Sequence, residues 1–240
     1  MNLQSNRPGL VNWLGYLAIA LLLMLPLSLL TVRTGHWQPG LLLYAIACLG
    51  STLLVILAIV LLLRRRFNPW RKDILQRALF ALPGTVLLLS LTSGGSYPTI
   101  HDISTDTVDP PAFTFAPPQR GADANTLEID QDVIQQQQAA YPDLQTLLSP
   151  LSTDDAYNLA LKVATNMGWD VYHQDSSAGM IEAVDTTSIM GFKDDIVIRI
   201  RSSAQGTLID LRSVSRVGEG DLGANANRIR AFRDAFQQQE

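Results

Sequence analysis

His101, Asp102, Asp106 and Asp109 place one imidazole and three carboxylates within nine residues. These are ligand types suited to zinc or to a hard cation. Their spacing corresponds to no EF-hand or zinc motif, and Asp, Ser and Thr in such a run also cap turns through side-chain to backbone hydrogen bonds. A second group is cationic: Arg199, Arg201, Arg212, Arg216, Arg228 and Arg230 are six of the ten basic residues that follow Gly94. Converging guanidinium forks could hold a carboxylate or phosphate bidentately, with backbone donors from the Gly218-x-Gly220 turn and from a helix start near Gly223. The competing expectation is internal pairing, Arg199 or Arg201 with Asp210 and Arg212 or Arg216 with Asp194, Asp195 or Asp221. Acids outnumber bases 21 to 10 in this part of the chain, which makes such pairing easy. For nucleophilic catalysis there are Ser104, Ser213 and Ser215, with His101 and His173 as bases, but no Gly-x-Ser-x-Gly elbow. Asp194 and Asp195 are adjacent on a strand and point to opposite faces, which is poor placement for shared acid-base work.

The elements that must position these groups differ sharply on either side of residue 93. Before Gly94 there are eight basic residues and one acidic, a net of +7; the remainder stands at −11. Three apolar stretches, Leu10 to Val32, Leu41 to Leu63 and Ile74 to Thr92, meet the length of about 20 residues needed to cross a bilayer. The first is longer than a secretory h-region and lacks a small-x-small cleavage site, so it is expected to be retained. Arg64, Arg65, Arg66, Arg71 and Lys72 crowd the second connection while the first has only Arg33. This puts the N-terminus in the cytoplasm and the chain beyond Gly94 on the far side. Trp13, Tyr16, Trp37 and Trp70 sit near span ends, where amphipathic rings prefer the interface. Within the spans the one ionisable basic residue is Arg77, whose stem is expected to snorkel to the cytoplasmic surface. Little charge inside the spans argues for anchoring over transport.

Residues 94–150 are rich in Pro and Asp and are expected to run extended over the outer domain, with Ile100, Ile103, Val108, Phe113 and Phe115 docking on it. A folded core at 151–240 begins at the capping sequence Ser152-Thr153-Asp154-Asp155. Ala156, Leu159, Ala160, Val163 and Met167 recur at helical spacing up to Gly168. Four strands follow, Trp169 to His173, Met180 to Thr186, Asp195 to Arg201 and Thr207 to Val214, each with one wet face. A last helix from about Gly223 to Gln237 buries Ala226, Ile229, Phe232 and Phe236. The expected fold class is thus an N-terminal three-helix transmembrane region (1–93) plus a C-terminal α+β domain of helix, four-stranded antiparallel sheet and helix.

Several ordered motifs together resemble the bacterial domain-of-unknown-function 1499 family, whose members are membrane-anchored or exported. They are Ile100-His101-Asp102-Ile103-Ser104-Thr105-Asp106, Asp109-Pro110-Pro111-x-Phe113 and Gly191-Phe192-x-Asp194-Asp195. The run Asp210-x-Arg212-Ser213-x-Ser215-Arg216-x-Gly218, then Asp221-x-Gly223-x-Asn225 and Arg228-Ile229-Arg230, completes the pattern. The resemblance covers about residues 100–236 and supplies no substrate. It supports a candidate ligand-binding set of His101, Asp102, Asp106, Asp109, Arg212, Ser213, Ser215, Arg216, Asp221, Asn225 and Arg228.

The acidic outer domain has no electrostatic footprint for nucleic acid, and a single cysteine, Cys48, excludes a disulfide framework. No cofactor is expected. The reading that follows is a multi-pass protein of the bacterial inner membrane with a periplasmic, non-enzymatic binding or assembly domain. Its expected partners are the lipid bilayer and either an envelope protein or a small anionic ligand. The alternative is an envelope hydrolase using the His101–Asp109 and Arg212–Arg216 segments, which requires both segments to meet around a concave, water-accessible pocket.

Overall fold

The computed structural model describes residues 8–92 and 95–240 and divides the chain into two compact units, Met1–Gly95 and Ser96–Glu240. In the first, α1 (Gly9–Arg33) and α2 (Trp37–Leu63) are joined by a tight turn. A third helical rod covers Arg65–Thr92, and all three rods are long and apolar enough to cross a membrane. The third rod is not a single α-helix. It comprises a 3-10 turn (Arg65–Trp70), α3 (Arg71–Ala78), a second 3-10 turn (Leu79–Ala81) and α4 (Leu82–Thr92). Pro83 explains the second interruption, because it has no N–H for the carbonyl of Leu79 and its ring crowds that carbonyl. Small residues let the rods approach: a Cβ on Gly84 would stand 2.8 Å from that of Ser51. In the most apolar window of each rod only 28%, 28% and 17% of the residues are buried, so most of this apolar surface needs a non-aqueous surround.

The second unit is built on a six-stranded antiparallel sheet, not the four strands expected from sequence. Its strands are β1 (Asp102–Ser104), β2 (Leu147–Ser149), β3 (Asp170–Asp175), β4 (Met180–Thr186), β5 (Lys193–Ser203) and β6 (Gly206–Ser215). The order is β1-β6-β5-β4-β3, and β2 also pairs with β6. The two unforeseen strands lie on the same flank of β6, β1 against residues 212–214 and β2 against 207–209. Each has three residues, too short to show a period-2 pattern, so periodicity could not reveal them.

One face of the sheet follows from the alternation of Ile196, Ile198 and Ile200 with Ile209 and Leu211. These pack with α6 (Thr153–Asn166) and α7 (Ala224–Gln237) in one core that includes Val163, Ile229, Phe232 and Phe236. The Ser152 hydroxyl accepts from the Asp155 amide as the N-cap of α6. The other face was expected to be wet, and it is not. Glu182, Asp195, Asp210 and Arg212 project from it, yet all are at most 2% exposed. A strap formed by residues 105–130 covers them, with no strand or α-helix and only a 3-10 turn at Pro117–Gln119. Ile100 and Ile103 enter the helix-side core, Phe113 lies over the Arg212 guanidinium at 5.4 Å, and Phe115 stacks on His173 at 3.6 Å. Val108 departs from the docking expectation, being 93% exposed.

Candidate functional site

The register β1↔β6 pairs Asp102 with Val214, Ile103 with Ser213 and Ser104 with Arg212, so the two segments singled out by sequence do meet. Because neighbours on a strand alternate in direction, their side chains divide between the two faces of the sheet and form three separate clusters.

The first cluster is the strap side of β6. Arg212 is 2% exposed and donates through Nε and Nη2 to the Asp102 carboxylate at 3.0 and 2.6 Å. It also reaches the carbonyls of Pro111 and Leu127 at 3.3 and 2.8 Å. This planar fork therefore fastens β1 and both ends of the strap at once. Next to it, Asp195 is fully buried between two guanidinium groups: Arg120 from the strap at 2.5 Å, and Arg216, which donates to both carboxylate oxygens at 3.0 and 2.7 Å. Arg216 additionally holds the Gln119 carbonyl. On β4, Glu182 accepts from the backbone amides of Thr114, Phe115 and Ala116 and from the Tyr172 hydroxyl. Burial, with the Glu182 charge beside it, pushes the Tyr172 phenol far up, so this hydroxyl stays a donor.

The second cluster lies at the end of the helix-side face, beneath the start of α7. Asn225 is fully buried and satisfies four partners: its Oδ1 accepts from Ser213 Oγ and Arg228 Nη1, and its Nδ2 donates to Ser215 Oγ and the His101 carbonyl. Arg228 also donates to Asp185 at 2.8 Å and to Asp194 at 2.5 Å. Asp221 accepts the amides of Gly223 and Asn225, and Gly223 holds φ +81°, a conformation that favours glycine. The helix start foreseen as an anion site is thus occupied by the chain's own carboxylate. A nucleophile and base are not assembled: the Ser213 and Ser215 hydroxyls face Asn225, and the His101 ring contacts the Glu219 carbonyl at 3.2 Å through Nδ1.

The third cluster is Arg199 and Arg201 with Asp106, Asp109 and Asp210. Asp106 Oδ2 and Asp210 Oδ2 are each shared by both arginines, and Asp109 lies 2.9 Å from Arg199. Asp106 Oδ1 meanwhile accepts the amides of Val108 and Asp109, closing the turn. Partial burial raises the Asp106 carboxyl. The two amide bonds and the charges of Arg199 and Arg201 outweigh it, so the group sits below its ordinary value of 3.8. A carboxyl depressed in the folded state contributes stability that is present above its unfolded value and is lost as pH falls through the folded one. Asp106→Asn, which preserves the turn-closing acceptor, is therefore expected to flatten the stability loss below about pH 4. Urea midpoints of wild type and variant measured from pH 6 to pH 2.5 should converge at the acid end; parallel curves would contradict this role.

The internal pairing anticipated for Arg199, Arg201 and Arg216 is what the structure contains, whereas Arg212 takes Asp102 in place of Asp194, Asp195 or Asp221. Among the described residues no group of three or more His, Cys, Asp or Glu side chains could hold a metal, and His101 lies apart from the Asp106 cluster. The cavity beside Arg212, Asp102 and Gln137 is about 10 Å³, barely the space of one water. Sequence reasoning missed Glu182, Tyr172, Arg120 and Gln137. Gln137 is 2% exposed in α5 (Gln131–Ala140), and its amide bonds both the N–H and the carbonyl of Ser104, serving as a strand partner on the outer edge of β1. Nothing in a run of four glutamines distinguishes the one that does this.

A membrane-type three-helix unit followed by a strapped antiparallel α+β domain defines the class of protein. Within that class, the model of a family described as a protein of unknown function (DUF1499) matches residues 102–236, and the chain belongs to this family. The match begins at the first residue of β1 and ends one residue before the end of α7, and so spans all three clusters apart from His101. No curated protein matches the chain.

Proposed function

We propose that this is a multi-pass protein of the bacterial inner membrane whose N-terminus is cytoplasmic and whose second unit is a periplasmic, non-enzymatic binding or assembly domain. The observation that carries the reading is that the chemistry-bearing residues of both conspicuous segments are consumed by one another. Arg212, Arg216, Arg228 and Asn225 each hold two or more parts of the domain together. Catalytic groups need a reacting atom within reach and open space for it, and the cavity next to Arg212, barely the size of one water, has no room for a substrate. Orientation rests on the five basic residues of the second connection against one in the first. A domain at −11 is repelled by anionic head groups, which favours a protein or a small molecule as its partner over the bilayer surface.

Incorporation of a photo-crosslinking residue at the exposed positions Val108, Leu148 and Leu222 tests this in intact cells. A discrete adduct from one surface, on a domain reached only by periplasmic reagents, is the expected result. Turnover in a panel of ester, phosphoester and glycoside substrates that disappears in a folded Ser213→Ala variant would overturn it in favour of the hydrolase.

A further inference from the structure

The first unit contains a groove that anchoring does not require. Asn12, Gly15, Tyr16 and Ile19 occupy one face of α1, at spacings of three, four and seven, and Asp73, Gln76, Arg77 and Phe80 repeat those spacings on the third rod. Together they line an open-sided groove of about 450 Å³, within the range of small-molecule sites. The two rods run in the same direction because α2 returns the chain between them, and the approach of the Arg77 stem to Gly15 sets their register. Asn12 and Asp73 are at the entrance, Tyr16 with Gln76 and Arg77 one turn in, and Ile19 with Phe80 a turn deeper. Polarity therefore falls from charged through amide and phenol to hydrocarbon along about 10 Å of helix.

Arg77 reaches back toward the start of its rod, the direction expected of a snorkelling side chain, and is held there in the groove. Its Nη1 donates to the Asp73 carbonyl at 3.2 Å and to Asp73 Oδ1 at 3.1 Å, whereas its Nε and Nη2 make no hydrogen bond among the described residues. Gly15 makes the position accessible: a Cβ there would stand 2.9 Å from Arg77 Cγ and Cδ, so a larger residue would displace the stem from its place across α1. Arg77 keeps Nε and Nη2 free of Asp73, which occupies Nη1 alone, and with the side-chain amides of Asn12 and Gln76 lining the same groove these donors suit a phosphate.

We propose that this groove binds a glycerophospholipid by its headgroup, with the phosphate on Arg77 between Asn12 and Gln76 and the first acyl carbons along Ile19 and Phe80. The inference rests on the membrane reading above, which the accessibility of the second unit to periplasmic reagents tests separately. The test is native mass spectrometry of the full chain in detergent micelles, titrated with dioctanoyl phosphatidylethanolamine, dioctanoylglycerol or inorganic phosphate. One equivalent of the phospholipid is expected to bind, with the diacylglycerol at least tenfold weaker and inorganic phosphate unable to displace the lipid at equal concentration. Arg77→Gln should weaken the phospholipid at least tenfold. Ile19→Trp, at a position 42% exposed that leaves the Asp73–Arg77 pair intact, should do the same by filling the groove, which guards against a folding defect in the arginine variant. Equal binding of the diacylglycerol, or wild-type binding by both variants, would overturn the site. Displacement by inorganic phosphate at equal concentration would overturn the lipid as its ligand.

Discussion

Arg212→Ala should destabilise the second unit by about 3–5 kcal/mol, the range for removing one partner of a buried ion pair. For a domain of this size that lowers the midpoint of thermal unfolding by roughly 6–20 °C. The magnitude follows from what is left behind. Asp102 keeps a largely buried negative charge with its guanidinium gone, and the carbonyls of Pro111 and Leu127 lose their donor where water has little access. Arg212→Lys retains the charge but replaces a planar fork by a point donor, which cannot reach Asp102 twice and two carbonyls as well. It is expected to recover only part of the loss. Arg212→Met combined with Asp102→Leu should be more stable than Arg212→Met alone, because the second change removes the orphaned carboxylate. Thermal scans of the full chain followed by near-UV circular dichroism provide the measurement. A folded Arg212→Ala protein within 2 °C of wild type, according to about one kcal/mol or less, would return Arg212 to the list of ligand-binding residues.

The helical periodicity of Ala156, Ala160 and Val163, the cap at Ser152 and the alternation of β5 and β6 could all be read from the chain, because each is a local pattern imposed by burial on one face. The strap face was hidden for the opposite reason. Arg199, Arg201, Asp210 and Arg212 alternate with Ile198, Ile200, Ile209 and Leu211 in the way a solvated face does. Nothing local distinguishes charges that meet water from charges that meet a proline-rich segment more than sixty residues earlier. Asp102 and Arg212 are 110 positions apart, and Glu182 and Ala116 are 66 apart. The residue types that suggested chemistry are the same types needed to fix an irregular segment that has no ladder of its own. Its backbone amides and carbonyls must be satisfied by side chains, and carboxylates and guanidiniums do this most strongly. Buried pairs of this kind add little net stability over apolar packing, but their directionality selects one register for a strap that hydrophobic contact alone would leave free to slide.

Asp195→Asn is expected to release that strap more thoroughly than any other single change on this face. Asp195 is the one carboxylate hydrogen-bonded to both Arg120 and Arg216, whose side chains are 5% and 13% exposed. Asparagine has the same shape, yet it leaves two cations facing each other without a counter-charge, and its NH₂ points a donor at a donor. The cost should again be about 3–5 kcal/mol and should exceed that of Arg216→Ala, in which Asp195 still has Arg120. The result is directly visible with trypsin. In the wild type the bond after Arg120 is protected, since the side chain that must enter the protease is buried on Asp195 and its Nη2 also holds the Asn125 carbonyl at 2.7 Å. In Asp195→Asn that bond should be cut early, at enzyme concentrations that leave the wild type intact, while the cores of α6 and α7 persist. Arg120→Met with Arg216→Met and Asp195→Leu should restore resistance to unfolding without restoring any charge. Indistinguishable cleavage of wild type and Asp195→Asn would mean that the strap is held by its apolar contacts at Phe113 and Phe115, with the ion pairs merely accompanying them.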